Sequence, residues 1–477
     1  MTRGADEFLP LVEPLDLSFD AVDVFFRLAS LPHVVFFDSA MRHPELGRYS
    51  FVAADPVEWL VARADGSDAL SDFGSRIAAC GLGTTPSNPQ LQLPPFQGGW
   101  AGLFGYELGR SLEKVPAARF DEFQLPALAV GLYDVVAAFD HQTQAAWLIS
   151  QGLPETDPIA RRERAAARLR CFREKLPGPR HANDSCKARP ISVDALAPQF
   201  AVPGHDGLTS DFSAAAYHLA VERAVEYIHA GDVFQVNLSQ RLLHSAITPP
   251  VDLYCRLRGR NPAPFAGYLD GGDWQIASAS PERFIRVNNR HVETRPIKGT
   301  RGRTRRPEAD LFAGDELLAS RKDRAENVMI VDLLRNDLSR TCRPDSVRVS
   351  QLCGLETYEY VQHLVSVVEG TLRDDCAPLD LLRTSFPGGS VTGAPKIRAM
   401  EIIAELEPTV RGAYCGSLGY VGVDGQMDTS ILIRTITAAG GWWQLPVGGA
   451  IVADSKPREE YDETWHKAAG MLRALRP

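Results

Sequence analysis

Asp323 and Glu326 stand three residues apart in SRKDRAENVMIVDLLRNDLSR, and Glu460 and Glu463 repeat that spacing near the C-terminus. Helical residues at i and i+3 share one flank, so each segment can offer two carboxylates together. Hard oxygens of this kind suit Mg2+, which keeps several waters and leaves a place for an oxyanion of a substrate. Such pairs also serve as plain solvated helix faces, and the metal reading requires the two helices to converge.

Two glycine-rich turns could supply backbone donors. SFPGGSVTGAPKIRAMEII sets Gly388, Gly389 and Gly393 before a helix entered through Pro395. Ala394 occupies the place where a G-x-x-x-x-G-K phosphate loop requires lysine, which disfavours nucleotide hydrolysis. The N–H groups of a helix start, with the Ser390 hydroxyl, can still hold a carboxylate; a simple turn fits the segment equally well. VGGAIVADS places Gly448, Gly449 and Ala450 just ahead of the last acidic helix. Arg434 alternates with apolar residues in TSILIRTITA, so its guanidinium can meet a carboxylate in a cleft or close a structural ion pair.

The elements that must position these groups are read from periodicity. HVVFFDSA and LAVGLYDVVAAF have the composition of buried strands. The glycines of QGGWAGLFGYELGR fit close backbone packing rather than a dinucleotide loop, since no ribose-binding acid follows at the required distance. AAAYHLAVERAVEYIHAG has helical spacing and ends at Gly231, and VFQVNLSQRLL follows as a strand. In the first acidic helix Val328, Val331, Leu334 and Leu338 form the predicted buried stripe; in the second, Tyr461, Trp465, Ala468 and Leu472 do. The Pro- and Gly-rich PGPRHANDSCKARPISVDALAPQFAVPGHDG divides an N-terminal region, 1–177, from a linker or surface excursion, 178–210, and a C-terminal catalytic module, 211–477.

Composition narrows the function classes. The 477 residues carry a formal net charge of -9, which gives no global attraction to nucleic acid, although Arg301, Arg303, Arg305 and Arg306 form a local basic cluster. No apolar stretch is long enough for a membrane span, and the first residues lack the apolar core of a secretory signal, so the expected location is cytoplasmic. The 8 cysteines include no C-x-x-C pair and read as free thiols.

SPERF, PIKGTRGR, AENVMIVDLLRNDLSR, HLVSVVEG, FPGGSVTGAPKIRAMEII, GAYCGSLGY, MDTSILIRT and GGAIVADSKPREEYDET, in this order, resemble the chorismate-utilising enzymes over about residues 212–477. RYSFVAADP and GGWAGLFGYE extend the resemblance into the N-terminal half. It implies an α/β fold, a large two-sheet sandwich core flanked by helices and shared by both halves of the chain. It also implies that Glu326 and Glu463 bind Mg2+, with Asp323 and Glu460 nearby. Tyr414 and Arg434 match positions that hold the enolpyruvyl carboxylate, aided by the backbone of Gly448, Gly449 and Ala450. Ser390 and His363 match positions along the ring, and Glu282 matches a general acid.

Within that family, members that add water carry a lysine base where this chain has Gln235, which disfavours hydration. Anthranilate-forming members usually have alanine in PIAGT where this chain has Lys298; aminodeoxychorismate-forming members typically show PIKGT. The resemblance therefore implies amination of chorismate through Lys298. A desolvated amine, or one beside other cations such as Arg295 or Arg301, can be neutral and nucleophilic near pH 7. The chain shows no glutaminase cysteine motif, and the resemblance implies that a separate glutamine amidotransferase subunit docks and supplies the ammonia. The rival readings are anthranilate formation and a non-catalytic chorismate or amino-acid sensor, the latter through a pocket built by Phe36 to Ala40 and Asn261 to Tyr268.

Overall fold

Asp134 interrupts the apolar run LAVGLYDVVAAF, and the chain changes sheets there. Leu128–Tyr133 belongs to one sheet and Val135–Asp140 to the other. The Asp134 carboxylate, fully buried at the crossing, accepts hydrogen bonds from Arg168 at 3.1 and 3.2 Å. A buried charge needs such a partner, and Arg168 comes from the helix Pro158–Lys175 that covers this corner.

The computed structural model describes residues 9–41, 46–80, 93–180, 190–303, 306–357 and 361–476. Arg305, Cys186 and part of the expected linker lie outside them. Two large sheets, one of 13 strands and one of 10, stack face to face. In the larger, Val35–Asp38 from the N-terminal half pairs antiparallel with Phe265–Asp270, in register Ala266 to Asp38. Beyond it lie Trp274–Ser280, Thr435–Ala439, Trp442–Ile451 and Gln235–Ser245. In the smaller, Ser417–Gly422 pairs with the N-terminal Gly99–Phe104. Both sheets thus mix strands from the two halves of the sequence.

Strand alternation sorts side chains into three layers. Val35, Leu269 and Ile276 meet Leu103, Tyr133 and Leu418 between the sheets. Phe36, Trp443 and Leu445 face helices on the outside of the larger sheet, among them Pro250–Arg260 and Pro457–Leu475. Val130, Ile285 and Val368 face Arg321–Ser339 and Pro378–Ser385 outside the smaller one. This is the helix-flanked α/β sandwich implied by the resemblance. Gly102 shows why the glycine-rich strand needs no cofactor: at φ 154° its Cα lies so near the neighbouring strand that a Cβ would stand 2.1 Å from the Ala129 carbonyl oxygen.

The first acidic helix keeps Val331, Leu334 and Leu338 of its predicted stripe buried and departs only at Val328, whereas the second is rotated by about one residue. In Arg321–Ser339 the buried residues are Asn327, Ile330, Val331, Leu334, Asp337 and Leu338, while Val328 is 40% exposed. Asn327 takes the inward place because the strand Val361–Thr371 offers it polar partners, the Ser366 hydroxyl and the Leu364 carbonyl. In Pro457–Leu475 Glu460, Thr464, Ala468, Met471 and Leu475 are buried, and Tyr461, Trp465 and Leu472 only half so. Thr464 accepts from Gln240 of the adjacent sheet at 2.7 Å, and Ser455 donates to Glu460 at 2.6 Å. The seven described cysteines are free. No helix among the described residues is long and apolar enough to cross a membrane.

Candidate active site

A cavity of about 710 Å3 opens where the two acidic helices, the two glycine-rich turns and the strand Ile297–Gly302 meet. Glu282, Lys298, Asp323, Glu326, His363, Ser390, Tyr414, Arg434, Gly448, Ala450 and Glu463 all line it. Gly449 and Glu460 stand just behind the wall. A Cβ at Gly449 would stand in ordinary contact, 3.5 Å, with Glu460 Oε2 and Glu463 Oε1, so this backbone lies beside both carboxylates. Gln235 is buried at the start of the strand Gln235–Ser245, beside Gly393 and Ala394, and its amide has no hydrogen-bond partner among the described residues. It is not on the cavity wall; Asn237, two residues on, is.

One end of the cavity joins a carboxyl group to an amine through a single serine. Ser390 Oγ donates to Glu282 Oε1 at 2.7 Å, and Lys298 Nζ donates to the Ser390 carbonyl at 3.1 Å. Burial pushes the Glu282 carboxyl up to about 7, against the Ser390 hydrogen bond and the charges of Lys298 and Arg434. Burial lowers Lys298, opposed by Glu326 and Glu282 and reinforced by Lys467. The neighbouring cation is thus Lys467. Arg295 is instead tied to Glu356 at 2.5 Å, and Arg301 lies within 4 Å of Glu316 and Asp323. Arg303 also has an acidic partner, Asp310 at 3.1 Å, so these members of the basic cluster are largely neutralised.

His363 is pushed down to about 4 by burial and by Arg434, and is neutral at pH 7. Arg434 sits at φ 54°, and burial lowers its guanidinium. Charge alone would favour an anion beside it. Tyr414, buried on the same wall, completes a pocket suited to a carboxylate.

The carboxylates line the neighbouring wall, with Asp323 packed against Gly299 next to Lys298. Burial raises Glu326, and Asp323 and Glu463 raise it further against Lys298 and Lys322. Burial also raises Glu463, but Lys467, which pairs with it at 2.6 Å, brings it below the usual range. Glu460 Oε1 takes Ser455 and Lys322, whereas its Oε2 is buried without a hydrogen-bond partner among the described residues. No preformed cluster of three or more His, Cys, Asp or Glu ligands occurs among the described residues. The oxygens of Glu326, Glu463 and Asp323, with the unpartnered Oε2 behind them, are nevertheless a donor set that fits a hard divalent cation.

Sequence reasoning missed Lys322, His466, Lys467 and Asn237, which also line the cavity. Lys467 had a visible signal: it lies four residues after Glu463 on one helix face. Asn237 shares a strand face with Gln235. A second cavity, of about 510 Å3, is lined by Phe37, Asp38 and Ser39 together with Pro264, Phe265 and Ala266, so the two segments expected to form a pocket do meet.

A buried acid, a buried amine and facing carboxylates on a two-sheet scaffold define an α/β enzyme acting on a small anionic substrate. The chorismate binding enzyme family matches residues 53–473, and the chain belongs to that family. It is 44% identical over 413 residues to anthranilate synthase component 1 of Thermus thermophilus, covering 87% of this chain and 84% of that one. It is 39% identical over 476 residues to aminodeoxychorismate synthase component 1 of Salmonella typhimurium, covering 98% of each. Anthranilate synthase component I of Streptococcus pneumoniae superposes with a TM-score of 0.75 at 31% identity, over 90% of this chain and 93% of that one. The menaquinone-specific isochorismate synthase of Escherichia coli shares the fold, with a TM-score of 0.71 at 18% identity over 99% and 97% of the two chains.

Proposed function

We propose that this chorismate-utilising enzyme is an aminodeoxychorismate synthase, converting chorismate and ammonia to 4-amino-4-deoxychorismate and water. The observation that carries the reading is Lys298, whose amine stands on the cavity wall within one serine of Glu282. Lys298 Nζ attacks C2 of chorismate, the ring double bonds shift, and Glu282 protonates the C4 hydroxyl as it leaves as water. Ammonia then attacks C4, the double bonds shift back, and the lysine departs with the enolpyruvyl group retained. Arg434 and Tyr414 hold the enolpyruvyl carboxylate, helped by the backbone of Gly448 to Ala450, while Ser390 and His363 bound the ring.

Glu326 and Glu463, with Asp323 and Glu460 nearby, would hold Mg2+, whose charge anchors the ring carboxylate when bound. A glutamine amidotransferase subunit supplies the ammonia, and a separate lyase converts the product to 4-aminobenzoate for folate synthesis. Anthranilate formation is the second reading, favoured by the 44% identity to the Thermus thermophilus protein.

Incubating the purified chain with chorismate, Mg2+ and ammonium separates the two. The expected product keeps the enolpyruvyl group; release of pyruvate with a fluorescent aromatic amine would replace the first reading by the second. Lys298→Ala should abolish amination at C4, and mass spectrometry of quenched wild type should find a substrate adduct on Lys298. Undiminished aminodeoxychorismate formation by Lys298→Ala would remove the nucleophile from the mechanism.

A further inference from the structure

The reactive end of the cavity is held from behind by one guanidinium. Arg411 is almost wholly buried, and its guanidinium bonds the backbone of two residues that line the site. Its Nη1 donates to the Val391 carbonyl at 2.9 Å, and its Nη2 donates to the Asn237 carbonyl at 3.0 Å. Its Nε and Nη2 form a two-point pair with Glu407, at 2.9 and 2.6 Å. Glu407 in turn accepts from the backbone N–H and the hydroxyl of Ser239. Glu107 accepts from the backbone N–H groups of Arg411 and Gly412, which fixes the loop leading to Tyr414.

Val391 follows Ser390 directly, and Asn237 Nδ2 lies 3.4 Å from the Ser390 carbonyl. The residue that follows Ser390 and the one whose amide meets its carbonyl are therefore tied to a single planar fork. Lysine, a point charge on a flexible stem, cannot make this set of bonds.

We infer that Arg411, oriented by Glu407, is a positioning residue that holds Ser390 in register with Glu282 and Lys298, and so sets the rate of the acid-assisted step without touching the substrate. The inference rests on the proposed roles of Glu282 and Lys298. Its test reads chorismate consumption and so does not depend on which amino product forms.

The experiment compares wild type, Arg411→Lys and the double variant Arg411→Met/Glu407→Leu, which replaces the buried pair by apolar groups of similar bulk. Only protein that elutes as wild type and melts cooperatively is assayed. The expected result, in the variants that fold, is a fall in kcat of about 100-fold with KM for chorismate changed less than about 3-fold. The pH break belonging to Glu282 should also move upward, because Ser390 no longer favours the carboxylate. Arg411→Ala should regain kcat with added guanidinium and not with ammonium. Wild-type kcat and pH profile in the folded double variant, or a loss confined to KM, would overturn the inference. Failure of both single replacements to fold leaves the double variant to decide; should that also unfold, the guanidinium would be a structural strut and the inference would fall.

Discussion

Replacing Ser390 by alanine removes the hydroxyl that donates to Glu282 Oε1 at 2.7 Å while leaving the backbone carbonyl that receives Lys298. A hydrogen bond to a charged group contributes about 1.5–3 kcal/mol, and it favours the ionised carboxylate over the acid. Its loss moves the Glu282 pKa, now about 7, further up by about 1–2 units at about 1.4 kcal/mol per unit. Water entering the space left by the hydroxyl would bring the shift toward the lower figure. The assay is kcat/KM for chorismate consumption from pH 6 to 9, with the concentration of free NH3 held constant at each pH. Lys298 must be neutral and Glu282 protonated, so the profile has two breaks, and the one near 7 belongs to Glu282. Whether that break forms the acid or the alkaline limb depends on where Lys298 titrates, but its direction of movement does not. A break that stays in place or moves down in Ser390→Ala would refute the argument, as would persistence of the break in Glu282→Gln.

Glu282 also makes stability depend on pH. Its carboxyl titrates near 4.5 when unfolded and near 7 when folded, so the protonated form stabilises the fold fully below about 4.5 and loses that contribution as pH rises through 7. Glu282→Gln should therefore be more stable than wild type at pH 8, by at most about 3 kcal/mol, with the difference vanishing toward about pH 4 in paired urea titrations. Gly393→Ala places a Cβ 2.2 Å from the Gln235 carbonyl at a φ of 143°. It should cost about 3 kcal/mol or more in the same assay, and a loss under about 1 kcal/mol would show that the strand pair beside Ser390 yields easily.

Much of this architecture was readable, and the exceptions share a cause. Periodicity located both acidic helices; in the first it misplaced only Val328, ranked above Asn327, and in the second it turned the stripe by about one residue, ranking Tyr461 and Trp465 above Glu460 and Thr464. Burial there is decided by hydrogen-bonding partners on the facing sheet, Ser366 and Gln240, which no local pattern reveals. The run from Leu128 to Asp140 reads as continuous strand because both of its halves are covered by other layers. Its change of sheet depends on Asp134 finding Arg168, 34 residues away. The wall residues named from motif resemblance gather in one cavity, whereas Lys322 and Lys467, adjacent to or one turn from the acids, are not singled out, because a lysine near an acid on a helix is common on solvated faces.

The two groups assigned to the chemistry share one constraint that pH cannot relieve. The reactive arrangement, neutral Lys298 with protonated Glu282, holds the same number of protons as the ion pair of Lys298 ammonium and Glu282 carboxylate. Their ratio is therefore set by the surroundings alone. Burial favours the neutral pair by raising the acid and lowering the amine, while Glu326 and Glu463 favour the ammonium. Lys467 works against those carboxylates on both counts: it pairs with Glu463 at 2.6 Å and lowers Lys298. The acidic wall of the cavity therefore governs more than the placement of a substrate carboxylate. Whatever neutralises its charge also favours the neutral form of the amine beside it.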